Sequence, residues 1–223
     1  MAARQSVNER VYAAIKAQIL DGAFSPGEHL DAALLGQQHN ASLTPVQTAL
    51  NRLVGERILE KYAKDGFFLP RVTPHLLRAQ YRWVWSLLLE GVRTPPTAKL
   101  EADPRIAADI GEREPDDLLG AVDRLFLRIG ALSGSLEVHW ALQNANERMR
   151  PVRRLEGERI GDRDSELHAL SVSLLRDDRP RLEEGLEAYF RRRDRLVTDL
   201  VLLSLHTGER RPPPDRIQAD ADD

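Results

Sequence analysis

The sequence predicts a mainly α-helical chain: an N-terminal winged helix-turn-helix with a small β-hairpin wing, then an all-α bundle of six helices. Two observations predict it. Apolar residues recur at spacings of three and four through most of residues 6–207, the period of a helix with one buried face. Only residues 58–69 depart from that period. There two short apolar or aromatic runs flank Asp65-Gly66, the pattern of a hairpin.

The elements follow in order. Val7, Val11, Tyr12, Ile15 and Ile19 form one face of a helix over 6–21, which Asp21-Gly22 stops. Ser25-Pro26-Gly27 is a turn. A short helix is expected from Asp31 to Gln38, and Asn40-Ala41-Ser42 breaks the pattern. A third helix spans Thr44 to Gly55, with Pro45 in its first turn, where a missing N–H costs little. Pro70 ends the hairpin. Thr73-Pro74 caps a helix running to Val92, and further helices are expected at 97–111, 115–132, 135–155, 163–177 and 179–207. Residues 81–89 are apolar nearly all round, which predicts burial on more than one side. The layout divides the chain into 6–72, a winged helix-turn-helix, and 73–207, an all-helical bundle. Residues 208–223, with three prolines and five acids, read as a disordered tail.

Composition narrows the function. The 223 residues are 42% hydrophobic and 30% charged, enough for a real core and too ordinary for a disordered chain. No apolar run reaches the roughly 18 residues of a membrane span, and the opening MAARQSVNER lacks the apolar stretch of a secretory signal. A cytoplasmic location is expected. The absence of cysteine excludes disulfides, Cys-ligated zinc, iron–sulfur clusters and a thiol nucleophile. No Gly-rich phosphate loop, His-Glu-x-x-His or Gly-x-Ser-x-Gly occurs, so no enzymatic activity is expected. The net charge is -3. Residues 1–72 hold eight Lys or Arg against seven Asp or Glu, a balance that favours DNA in sign but only weakly in size.

The segment VYAAIKAQILDGAFSPGEHL (11–30) resembles the opening of the GntR family of bacterial regulators. That family follows an apolar helix with I-x-x-G-x-x-x-P-G-x-x-L, here Ile19, Gly22, Pro26, Gly27 and Leu30. LTPVQTALNRLVGERILEK (43–61) resembles its R-T-P-V-R-E-A-L-R-R-L-x-x-x-G-L-V, and residues 64–69 resemble its wing, x-R-G-x-x-V. The helical remainder resembles the effector-binding domain of the FadR group. Asp123 to Phe126 matches D-x-x-F, Ala131 to Ser135 matches A-S-G-N, and Glu166 to His168 stands near E-H with one extra residue. Six helices point to the VanR-like subgroup. The resemblance implies a homodimeric, ligand-responsive regulator of double-stranded operator DNA, with a repressor as the expectation.

Departures from the pattern shape the candidate sites. Relatives carry arginines where this chain has Ala33, Leu43 and Gln47. The usual guanine readout is therefore not carried over. The candidate DNA contacts are Thr44, Gln47, Thr48, Asn51 and Arg52 on the third helix, with Lys61, Lys64 and Gly66 in the wing. Gln47 and Asn51 lie four apart on one face and suit adenine. Arg52 suits either a phosphate or a surface pair with Glu56.

The resemblance also implies a metal held by one Asp and three His. Asp123 and His168 keep two of these places, while Leu127 and Tyr189 or Phe190 stand at the others, so no metal and no cofactor are expected. Asp123, Arg124, His168 and Tyr189 are the candidate effector contacts, and an organic acid is the expected effector type, met by arginines such as Arg124, Arg128, Arg153 or Arg192. The alternative is a relative that has lost specific DNA reading and acts through protein contacts or mixed dimers, which the missing arginines also fit.

Overall fold

The computed structural model describes residues 6–63, 65–95 and 118–209. Helix α1 (Val7–Leu20) starts where the Ser6 side chain accepts the Glu9 N–H. It buries Val11, Tyr12, Ile15 and Ile19 of the predicted face, while Val7, in the first turn, is 54% exposed. Strand β1 is His29–Leu30. Helix α2 (Ala32–Gln38) is capped by Asp31, whose carboxylate accepts from Ala33 N and Leu34 N. Helix α3 (Leu43–Gly55) packs on α1 through Val46, Ala49, Leu50 and Leu53.

Strands β2 (Glu60–Tyr62) and β3 (Gly66–Phe68) make the hairpin. The sheet runs β1-β3-β2, both pairs antiparallel, with Leu30 opposite Phe67 and Tyr62 opposite Gly66. The third strand corrects the sequence reading, which made the hairpin the whole sheet. Two residues cannot show a period of two, so β1 has no sequence signature. At the hairpin turn Gly66 has φ +90°, and a Cβ there would sit 2.8 Å from His29 Nε2. The positive φ favours glycine there, and a larger residue would also have to displace the His29 ring.

Helix α4 (Pro74–Arg93) begins with Thr73 accepting the Leu76 N–H and Pro74 in its first turn. Next come α5 (Leu118–Ala131), α6 (Leu136–Glu156), α7 (Arg163–Leu175), α8 (Arg179–Arg195) and α9 (Val197–Glu209). The helix expected at 179–207 is two helices, broken at Leu196, where φ and ψ are -93° and 0°. The helix expected at 97–111 lies outside the described residues, as does the tail beyond Glu209. Tyr81, Val84, Leu87 and Leu88 face the core, while Arg82, Trp83 and Ser86 are exposed.

Buried apolar side chains fall into two clusters, one within residues 11–69 and one within 77–200. The second is built on α4, with α5, α6, α8 and α9 against it. Close approach of α4 and α5 depends on Gly91, where a Cβ would lie 2.1 Å from the Ile129 carbonyl oxygen. Among the described residues, no helix is long and apolar enough to cross a membrane.

Candidate nucleic-acid interface

Helix α3 has two chemically different sides. Pro45, Val46, Ala49, Leu50 and Leu53 are buried, and Leu43, Thr44, Gln47, Thr48, Asn51 and Arg52 are exposed. The outward row is polar apart from Leu43, which is 49% exposed at the helix start. Ala33, another of the three positions at which this chain departs from the arginine pattern, is also exposed.

The outward side chains are not equally free. Thr48 Oγ1 donates to the Thr44 carbonyl at 3.0 Å, and Asn51 Nδ2 donates to the Gln47 carbonyl at 2.8 Å. Lys61 Nζ, reaching across from β2, donates to Asn51 Oδ1 at 3.0 Å and lies 5.0 Å from the Phe67 ring. Both ends of the Asn51 amide are thus engaged within the chain. Among the described residues Gln47 has no side-chain hydrogen-bond partner, which leaves its amide open for a bidentate one. Lys64 lies outside the described residues.

Arg52 is held on the α1 side. Its Nη1 is 3.0 Å from Glu9 Oε2, its Nε 3.3 Å from Glu56 Oε1, and its Cζ 3.6 Å from the Tyr12 ring centre. Of the two partners offered by the sequence, the structure holds the pair with Glu56. The phosphate role would require Arg52 to leave an ion pair and an aromatic face together. Tyr12 Oη donates to Glu56 Oε1 at 2.7 Å, and Lys16 Nζ donates to Glu56 Oε2 at 2.9 Å. Burial alone would raise the Glu56 carboxyl, but these donors hold it below the ordinary glutamate value.

The same Lys16 joins the two clusters, pairing with Glu147 of α6 at 2.8 Å. Asn144 Nδ2 donates to the Glu56 carbonyl at 2.8 Å. Arg154 caps the end of α1, with Nη1 donating to the Asp21 carbonyl at 2.8 Å and Nη2 to the Leu20 carbonyl. A guanidinium there satisfies orphan carbonyls and complements the negative end of the helix dipole. Asn144, Glu147, Pro151 and Arg154 recur at spacings of three and four, so one side of α6 forms this junction.

The opposite side of α6 faces a polar network inside the bundle. Asp123 receives Arg150 Nε at 2.9 Å and also Arg153 Nη1, while Arg153 Nη2 donates to Asn146 Oδ1 at 2.9 Å. Arg193 of α8 donates from Nε to Glu156 Oε2 at 2.9 Å, and Tyr81 Oη donates to Glu156 Oε1 at 2.9 Å. Arg193 and Glu156 are 1% and 2% exposed, so the pair is fully buried. Arg193 Nη1 lies 2.9 Å from Glu166 Oε2, an ion pair without hydrogen-bond geometry. The Arg193 guanidinium lies 3.2 Å from the Tyr189 ring centre, and burial, reinforced by Glu156, pushes the Tyr189 hydroxyl up to about 12.

The four candidate effector residues do not form one lining. Asp123 is occupied by two arginines, and Tyr189 is buried beneath Arg193. His168 is exposed, and on α7 it is Glu166 that faces the core. Arg124 is part-buried, with an Nη1 atom that has no partner. The extra residue between Glu166 and His168 explains the difference, because on a helix a two-residue step turns the side chain to another face. Among the described residues, no three His, Cys, Asp or Glu side chains group as metal ligands. Arg192 pairs with Asp162 at 2.5 Å.

Sequence reasoning missed Arg57. It follows α3 with φ +58°, and its N–H reaches the Val54 carbonyl at 2.9 Å. The signal was available: the 43–61 pattern has glycine at this place, and a left-handed residue closing a helix is usually glycine.

Comparison with known proteins gives a consistent picture. Residues 7–69 match the gntR family of bacterial regulatory proteins. The chain is 26% identical over 157 residues to the Nta operon transcriptional regulator of Aminobacter aminovorans, covering 67% of this chain and 75% of that one. Its fold is similar to that of E. coli McbR/YncC, with TM-score 0.60, 21% identity, and 88% and 99% of the two chains covered. It is also similar to a GntR transcriptional regulator from Rhodococcus sp. RHA1, with TM-score 0.67, 20% identity, and 87% and 99% covered. The Aminobacter and Rhodococcus proteins are both described as transcriptional regulators.

Proposed function

Since residues 7–69 are a GntR-family domain, in a chain homologous to transcriptional regulators, we propose that this protein is an effector-controlled repressor that binds operator DNA as a homodimer. The exposed polar row of α3, standing on a buried apolar side and next to the wing, supports this most directly. In this reading α3 enters the major groove, with the Gln47 amide set against an adenine edge and Thr44, Thr48 and Asn51 around it. Lys61 meets the backbone after releasing Asn51, and Gly66 keeps the wing turn tight. Two copies place two such helices one turn of DNA apart. The outer side of α4, with Trp83 49% exposed, is the surface we assign to pairing.

The division of labour follows the two clusters: residues 6–72 read DNA, and residues 73–207 receive a small effector of organic-acid type and dimerise. Helix α6 supports transmission, because one side meets the bundle network and the other meets α1 and α3. An effector shifts DNA affinity only by binding the two arrangements of the reading domain differently.

The test is capture of genomic DNA fragments by the purified protein at two salt concentrations, followed by sequencing. Enrichment of a few palindromic sites with A·T-containing half-sites is expected, and its loss in Gln47→Ala. Sites that survive Gln47→Ala unchanged would remove α3 from the interface. No enrichment at low salt, with partner proteins co-purifying, would favour the reading in which the fold acts through protein contacts.

A further inference from the structure

A cleft opens between the two clusters, with Ile58 of the reading domain on one side and Leu76 of the bundle on the other. Arg57, Arg71 and Arg148 also line it. Among the described residues, none of the three makes a side-chain hydrogen bond or ion pair, and Arg148 Nε is buried with no hydrogen-bond partner. Glu147, the acid at the same cleft, is committed to Lys16. A guanidinium with apolar surroundings and no counter-charge is costly to hold, and the usual resolution is an anion. Burial and the positive charge of Arg57 both push Arg148 below the ordinary arginine value.

The backbone supplies a second, independent observation. Arg57 sits at φ +58° where the family pattern has glycine. A bulky residue in the left-handed region is strained, and such strain marks positions kept for their side chain. The Arg57 side chain faces the cleft that holds Arg148.

We propose that this cleft binds a small amphipathic carboxylate, its carboxylate on Arg57 and Arg148 and its apolar part against Ile58 and Leu76. Two guanidinium groups suit the two oxygens of a carboxylate, and the apolar walls favour a short hydrocarbon over a bare ion. The site is separate from the bundle network around Asp123 and Arg193. Its occupant touches both the reading domain and the bundle, and so fixes one against the other.

The test is calorimetric titration of the full-length, DNA-free protein with hexanoate, with acetate and inorganic phosphate alongside. Binding without DNA stands or falls apart from the operator reading. Saturable binding of one hexanoate per chain is expected, more than about tenfold tighter than acetate or phosphate. Arg148→Gln and Arg57→Gly should each weaken it by about tenfold or more, while Arg181→Gln, on the exposed start of α8, should not. Arg57→Gly should also raise the melting temperature of the unliganded protein by about 2–4 °C, since it removes the strained backbone. That pairing separates a lost ligand contact from a damaged fold. Absence of hexanoate binding at millimolar concentration would overturn the proposal, and so would binding that both variants retain. Equal binding of phosphate would overturn the amphipathic ligand. Weaker binding of nonspecific duplex by the variants, with no carboxylate binding in the parent, would make the arginines phosphate contacts.

Discussion

Arg52 illustrates how much of the candidate interface is settled side chain by side chain. Although exposed on α3, it stacks on Tyr12 and pairs with Glu9 and Glu56, while Lys61 reaches Asn51 from the wing. Few phosphates are then neutralised, and the salt dependence of DNA binding should be shallow. Replacing Leu43 and Gln47 by arginine should tighten binding and steepen its salt slope, which fluorescence anisotropy at two salt concentrations would show. Gln47→Ala alone should cost about 1–3 kcal/mol of sequence discrimination, read by competition with scrambled DNA. Glu56 carries a pH prediction. Its carboxyl is held below 4.5 in the folded protein, so its stabilising contribution is present above that value and lost as pH falls through the lowered one. In Glu56→Gln the stability measured by urea unfolding should therefore be lower than the parent's at neutral pH and should fall less steeply on acidification, so that the two converge at low pH.

Among the elements, those with a long period were legible and those set by a single close contact were not. Helix α1 buries Val11, Tyr12, Ile15 and Ile19, four of the five residues its spacing selects, and exposes Val7 at its start. The break at Leu196 has no proline or glycine to announce it, because Arg195, Leu196 and Val197 all tolerate a helix. The same limit governs the sites. The outward row of α3 could be read from helical spacing, whereas the Arg193–Glu156 pair joins α8 to α6 and depends on tertiary packing alone. Glycines mark a further limit, since the sequence does not show what each one faces. Gly91→Ala should drive a methyl group into the Ile129 carbonyl and destabilise the protein by about 1–3 kcal/mol, measurable by urea unfolding.

At the scale of the whole molecule, the buried ion pair and the junction act through different faces of one helix. Arg193→Met strands Glu156 in the bundle interior and should cost about 3–5 kcal/mol in chemical denaturation. Adding Glu156→Leu should recover much of that loss, because a well-packed apolar pair is not inferior to an ionic one. The junction has a different consequence, for exchange of parts between regulators. A cut at residues 70–73 looks like a natural seam, yet Lys16 and the end of α1 find their partners at Glu147 and Arg154, more than seventy residues downstream. A chimera joined at that seam would inherit half of each contact. A reading domain transplanted from this chain should therefore work in a foreign body only when the junction side of α6 travels with it.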